Sequence, residues 1–157
     1  MSISRRRMAG FTLLELMIVA VIVGIITAVA LPSYRAYAIR TNRAAAVSDL
    51  QELTLFLERA FTAQGRYDDA ADPGDLVTAL PYGSSPRGDA NPTYTLALQS
   101  LDATSYVLRA VPVGGQASDE ECGQLRIDQA GTQCILAGTV CATSASADER
   151  AAVAECW

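Results

Sequence analysis

The hydrophobic pattern of this chain changes character near residue 31. From Phe11 to Leu31 the segment FTLLELMIVAVIVGIITAVAL is apolar on every side, interrupted only by Thr12, Glu15, Gly24 and Thr27. As a helix its 21 residues cover roughly 31 Å, the thickness of a hydrocarbon core. Pro32 removes one helical hydrogen bond and predicts a kink rather than a stop. Beyond it the rhythm turns amphipathic: Val47, Leu50, Leu53, Leu57 and Phe61 follow at spacings of three and four, with Arg43, Asp49, Glu52 and Arg59 largely off that stripe. Gly65 supplies a stop. The pattern therefore predicts one long helix of about fifty residues, roughly 80 Å. Its first half needs lipid or other helices, and its second half needs a domain to pack against.

Residues 66 to 92, RYDDAADPGDLVTALPYGSSPRGDANP, are dense in Asp, Gly and Pro and read as a long loop with one helical turn. Short alternating runs follow. TYTLALQSL, SYVLRAVPV and, after a Gly-Gly turn signal, CGQLRIDQAG predict three antiparallel strands, with QCILAGTV as a candidate fourth. The end, CATSASADERAAVAECW, reads as a small, polar tail. The fold class expected is α+β, with residues 11–65 as a long helix (11–31 transmembrane) and residues 66–157 as a head built on a small antiparallel sheet.

Charge narrows the function. All twelve cations are arginines, against seventeen acids, for a net charge of -5. Arg5, Arg6 and Arg7 precede the apolar run, so removing residues 1–10 leaves nine arginines and a net charge of -8. Such an acidic chain argues against nucleic acid as a partner, because counterion release needs clustered cations. Arg35, Arg40 and Arg43 with Tyr34 and Tyr37 read as interfacial anchors beside a span rather than as a DNA-reading face. With no histidine there is no Ser-His or Cys-His nucleophile, and no enzyme is predicted. Asp68, Asp69, Asp72 and Asp75 offer oxygen ligands, but their spacing fits no EF-hand loop and reads as a solvated acidic loop.

Cys122, Cys134, Cys141 and Cys156 all fall in the last 36 residues, without a CxxC pair. Behind an export-type N-terminus they read as disulfides, with three pairings open, rather than as a zinc site. No metal and no cofactor is expected.

Three readings compete for the N-terminus. A cleaved secretory signal would use Ala28-Val29-Ala30 before Leu31, although Glu15 and the continuing helical pattern oppose it. An uncleaved anchor is the second, and the arginines on both sides give it no orientation. The third rests on a motif: a basic leader, Gly10, an aromatic Phe11, glutamate at the fifth following position and Pro32 at the twenty-second. This junction closely resembles the class III signal and first helix of type IV pilins, and the Cys-Trp ending resembles the minor pilins that carry a C-terminal disulfide loop.

The resemblance implies cleavage of residues 1–10 after Gly10 by a prepilin peptidase and N-methylation of Phe11. It implies a structural subunit of a pilus used in adhesion or twitching motility, with other pilin subunits and an inner-membrane assembly platform as partners. It places the precursor as a single pass in the inner membrane with a periplasmic head, later extracellular in the pilus. A type II secretion pseudopilin and a DNA-uptake pilin are the rival functions. The resembling pilins staple the C-terminus to the sheet, which favours Cys122 with Cys156 and Cys134 with Cys141 over the alternative of Cys122 with Cys134 and Cys141 with Cys156. Two features depart from the pattern, the extra pair Cys134/Cys141 and the long tail from Cys141 to Cys156.

A carboxylate within an apolar span costs about 2.5 kcal/mol on the most lenient scale. Cleavage after Gly10 would create an ammonium on Phe11, and a neighbouring helix could set that ammonium against Glu15. The pairing makes assembly favourable and fixes axial register, and a head-to-tail contact that does not close generates a helical filament. The competing reading is a carboxylate that snorkels to the headgroups.

Overall fold

The computed structural model describes residues 11–68 and 80–157. Gly10 and the rest of residues 1–10 lie outside the described residues, as do Asp69, Asp72 and Asp75. The chain divides into two compact units, one ending at Ala38 and one running from Ile39 to Trp157.

Helix α1 is Leu13–Gln64, with Pro32 inside it. Its start is capped by Thr12, whose Oγ1 accepts the backbone N–H of Glu15 at 3.2 Å while the Thr12 carbonyl accepts Leu16 N–H at 3.3 Å. Thr12 and Glu15 thus stand as N-cap and third helical residue, the spacing of a capping box, with an acid in the first turn where the helix dipole favours it. Within the first unit, hydroxyls fold back on the helix: Thr27 donates to the Val23 carbonyl at 2.7 Å and Ser33 to Val29 at 3.3 Å. The other end closes at Gly65, whose φ of +75° and N–H bond to the Phe61 carbonyl at 2.7 Å make an αL cap.

The second unit is the head. The stripe expected from spacing is largely the face buried there: Val47, Leu50, Leu53 and Leu57 are in the core with Ala46, and Phe61 packs at its margin. Against this face lies one six-stranded antiparallel sheet in chain order, β1 (Ser84–Ser85), β2 (Tyr94–Leu101), β3 (Tyr106–Pro112), β4 (Leu125–Asp128), β5 (Gln133–Ile135) and β6 (Val140–Cys141). Alternation sets the faces. Tyr94, Leu96, Tyr106, Leu108, Ala110, Leu125 and Ile127 turn inward, while Thr95, Ala97, Arg109 and Arg126 are less buried. A bulge between Leu98 and Ser100 interrupts the β2–β3 ladder.

Three sequence expectations are corrected. Arg43 and Asp49, read as off the stripe, are buried. Arg43 stands four residues before Val47 and so begins the stripe, and Asp49 stands four before Leu53. The loop of residues 66–92 contains the short strand β1, and the candidate fourth strand QCILAGTV divides into β5, a tight turn and the first residue of β6. The polar tail is in large part a helix, α2 (Ala147–Cys156), with Val153 and Cys156 buried beneath it.

Candidate assembly site

In the first unit, Phe11, Leu13, Leu14, Leu16, Met17 and Ile18 head a run of side chains that stays at least half exposed as far as Leu31. This segment is long and apolar enough to cross a membrane. Exposure of that extent in every direction leaves this segment without a packing partner among the described residues, a surface suited to lipid or neighbouring helices. Glu15 is exposed among these side chains and is the only acid between Phe11 and Ala38.

The head is tied together by polar contacts where α1 meets the segment after β3. Arg43 donates charge-assisted bonds to both oxygens of Asp119, Nε to Oδ2 at 3.0 Å and Nη2 to Oδ1 and Oδ2 at 2.9 Å each, with both side chains buried, and Glu121 lies 3.9 Å from the same Nη2. Beside them Gln116 is also buried. Its Nε2 donates to the Ile39 carbonyl at 3.1 Å and to the Tyr94 hydroxyl at 3.0 Å, and its Oε1 accepts from Asn42 Nδ2 at 3.2 Å. A second clamp uses Arg87, which reaches Asp49 at 2.9 Å and Glu52 at 2.6 Å while its guanidinium lies 4.5 Å above the Tyr82 ring. Neither arginine was legible as a structural ion pair, because their partners lie dozens of residues away in sequence.

Disulfides join Cys122 to Cys156 and Cys134 to Cys141, the nested arrangement. The first ties α2 to the start of the β4 segment. The second bridges directly opposed residues of β5 and β6, with Cα atoms 4.0 Å apart. Trp157 caps the arrangement, its Nε1 donating to the Cys134 carbonyl at 3.3 Å. In the loop-closure account the 34-residue separation of the first bridge is worth roughly 4 kcal/mol and the 7-residue separation of the second roughly 2.5 kcal/mol. Cys156→Ser should therefore lower the denaturation midpoint more than the double change Cys134→Ser with Cys141→Ser, and should free α2 to limited proteolysis. Equal shifts would refute the assignment of the larger constraint to Cys122–Cys156.

Around Glu58 the head holds two phenols. Tyr67 Oη donates to Glu58 Oε1 at 2.8 Å and Tyr106 Oη to the same oxygen at 3.3 Å, while the Tyr67 ring meets Phe61 and Tyr106 at 4.6 and 4.8 Å. Burial, followed by the hydrogen bond to Glu58, pushes the Tyr67 phenol from 10.0 up to about 12, and burial raises Tyr106 as well. A folded-state value above the unfolded one means that this contribution is complete below about pH 10 and is lost as pH rises towards 12. Denaturant midpoints should be level from pH 8 to 10 and fall above it, and Tyr67→Phe should flatten that fall. An equally steep fall in the variant would assign the alkaline loss elsewhere.

Asp119, Glu121 and Cys122 bring their ligand atoms within 4.8 Å of one another. Arg43 already occupies the Asp119 carboxylate and the Cys122 sulfur is in a disulfide, so the donor set does not suit a metal ion. Of the acidic loop, Asp68 is described. It pairs with Arg66 at 2.7 Å, a bond that holds its carboxyl below the usual range.

A family model described as the type IV minor pilin ComP, DNA uptake sequence receptor, matches residues 32–126, and one for the prokaryotic N-terminal methylation motif matches residues 5–31. The chain belongs to the type IV pilin family, whose members are structural subunits. It is 42% identical over 76 residues to a fimbrial protein of Pseudomonas aeruginosa, an alignment covering 48% of this chain and 49% of that one. To the type IV major pilin protein PilA of Myxococcus xanthus it is 38% identical over 66 residues, covering 42% and 30%. Among solved structures it resembles the Neisseria meningitidis non-core minor pilin PilV, with 16% identity, a TM-score of 0.45, and 62% and 86% of the two chains covered. The chain spans about half the length of the curated relatives it matches.

Proposed function

We propose that this chain is a structural subunit of a type IV pilus, in the minor class, made as an inner-membrane precursor with its head in the periplasm. A prepilin peptidase removes residues 1–10 after Gly10 and methylates Phe11. An inner-membrane platform then transfers the subunit to the filament, where Glu15 receives the N-terminal ammonium of a neighbour. The observation that carries this reading is an apolar helix exposed on all sides, bearing a single carboxylate and continuing within α1 into a face buried under a disulfide-stapled sheet. The first part supplies what a filament core needs, and the second supplies a folded surface for the outside.

The test is direct. Filaments sheared from cells should contain the chain in trace amount relative to the principal pilin, and intact-mass analysis should find it beginning at methylated Phe11. A mature chain beginning at Leu31 would sink the filament reading and restore a secretory signal.

A second reading follows from the description of the matching family, DNA capture. The acidic balance of the chain favours the structural role, and a retarded DNA band at physiological salt with the purified full chain would reverse that preference.

A further inference from the structure

On the side of the sheet away from the core, Arg109 of β3 and Arg126 of β4 stand directly opposite one another in the antiparallel register. Like charges at opposed positions, with Cβ atoms about 5 Å apart, destabilise a sheet. Here the arrangement carries a further cost. The Nε atom of each arginine is closed off from solvent and has no hydrogen-bond acceptor among the described residues. Neither guanidinium has an ion-pair partner among those residues, although acids outnumber arginines and Arg43, Arg66 and Arg87 all have one.

The pair is also held in place. Arg126 Nη1 donates to the Ala137 carbonyl at 3.1 Å, and its guanidinium lies over Gly138, where any Cβ would collide with it. Leu136, Ala137 and Gly138 all have positive φ in that hairpin, at 50°, 58° and 89°, and the Cys134–Cys141 bridge closes it. A backbone strained in this way persists where the surroundings determine it. One guanidinium is thus fixed beside another that has no acceptor among the described residues.

We propose that Arg109 and Arg126 form a carboxylate-binding site on the outer face of the sheet, occupied by an acidic side chain on the head of a neighbouring pilin. A planar carboxylate has one oxygen for each guanidinium, and such charge-assisted bonds are the strong ones. The scale fits a single carboxylate better than a polyphosphate chain, because nucleic-acid affinity grows with the number of phosphates neutralised and two arginines neutralise about two. The binding site stands on the local geometry alone, whereas its occupant rests on the pilus reading above.

Two measurements separate these claims. In the full chain in detergent, the arginine Nε–Hε resonances of Arg109 and Arg126 should shift saturably with succinate while that of Arg59 does not. Arg109→Gln should weaken the effect on Arg126 at least tenfold without lowering the thermal midpoint. No shift, a shift shared equally by Arg59, or tighter binding of inorganic phosphate than of succinate would overturn the site. In cells, Arg109→Glu should reduce the subunit in sheared filaments at least fivefold at unchanged cellular level, whereas Arg59→Glu should not. Normal incorporation of Arg109→Glu would overturn the neighbouring pilin as occupant. Absence of the unaltered chain from filaments would instead refute the pilus reading, and the succinate titration would still decide the site.

Discussion

Glu15→Ala is expected to insert in the membrane as well as the parent chain or better, and to be depleted at least tenfold from sheared filaments. The direction follows from the surroundings of the carboxylate, an exposed apolar segment, residues 11–31, in which it is the only acid. Removing a charge lowers the cost of placing this helix in lipid. On the proposed pairing the same change would strand the ammonium of a neighbouring subunit in an apolar seam, and breaking one side of a buried ion pair costs about 3–5 kcal/mol. A tenfold loss needs only about 1.4 kcal/mol of that. Glu15→Val should behave alike.

Helix capping offers a competing explanation for any effect at this position, and the geometry separates the two. The bond at the helix start runs from the Glu15 backbone N–H to Thr12 Oγ1, so it survives when the side chain is truncated. Thr12→Ala would remove it instead, at about 1 kcal/mol of local helix stability, and should leave incorporation close to normal. Immunoblots of matched membrane and sheared fractions check both variants. If Glu15→Ala and Glu15→Val reach filaments at the parental level, the ammonium pairing is wrong and the snorkelling carboxylate stands.

The parts of this molecule legible in the sequence are those whose cause is local. Val47, Leu50, Leu53 and Leu57 announce a buried helical face through their spacing, and the alternation in residues 93–101 and 105–113 announces β2 and β3. Strands of two residues, β1 and β6, are too short for alternation to show. Helix α2 carries a start signature although its composition predicts a polar tail. Ser146 followed by Asp148 and Glu149 before an alanine run is a helix-start signature, and the low hydrophobicity of the segment obscured it. The place of Arg43 on the buried stripe follows from its spacing to Val47, but the counter-charge that makes its burial tolerable, Asp119, lies 76 positions away. The Arg109–Arg126 opposition likewise exists only once the β3–β4 register is fixed.

Asp119→Ala is expected to destabilise the head by about 3 kcal/mol, because it leaves the buried Arg43 guanidinium with only the exposed Glu121 carboxylate, 3.9 Å away, as counter-charge. Arg43→Ala should cost a similar amount by stranding the carboxylate, although the Cys122 N–H bond to Asp119 Oδ1 at 3.3 Å leaves that group one partner. The double replacement Arg43→Met with Asp119→Leu should cost much less than the two single losses together, because it leaves no buried charge unpaired and fills the site with apolar volume. Denaturant titration of the full chain in detergent gives the three values. Additive losses would mean that the pair contributes through packing alone. A large negative deviation from additivity would establish it as a coupled buried pair. The location makes the difference matter, since Asp119 lies three residues before Cys122, the anchor of the bridge to α2. The ion pair therefore fixes to α1 the same segment that the disulfide fixes to the C-terminal helix. Asp119→Ala should expose α2 to proteolysis with the Cys122–Cys156 bond still intact on a non-reducing gel, a result that loss of the disulfide alone would not produce.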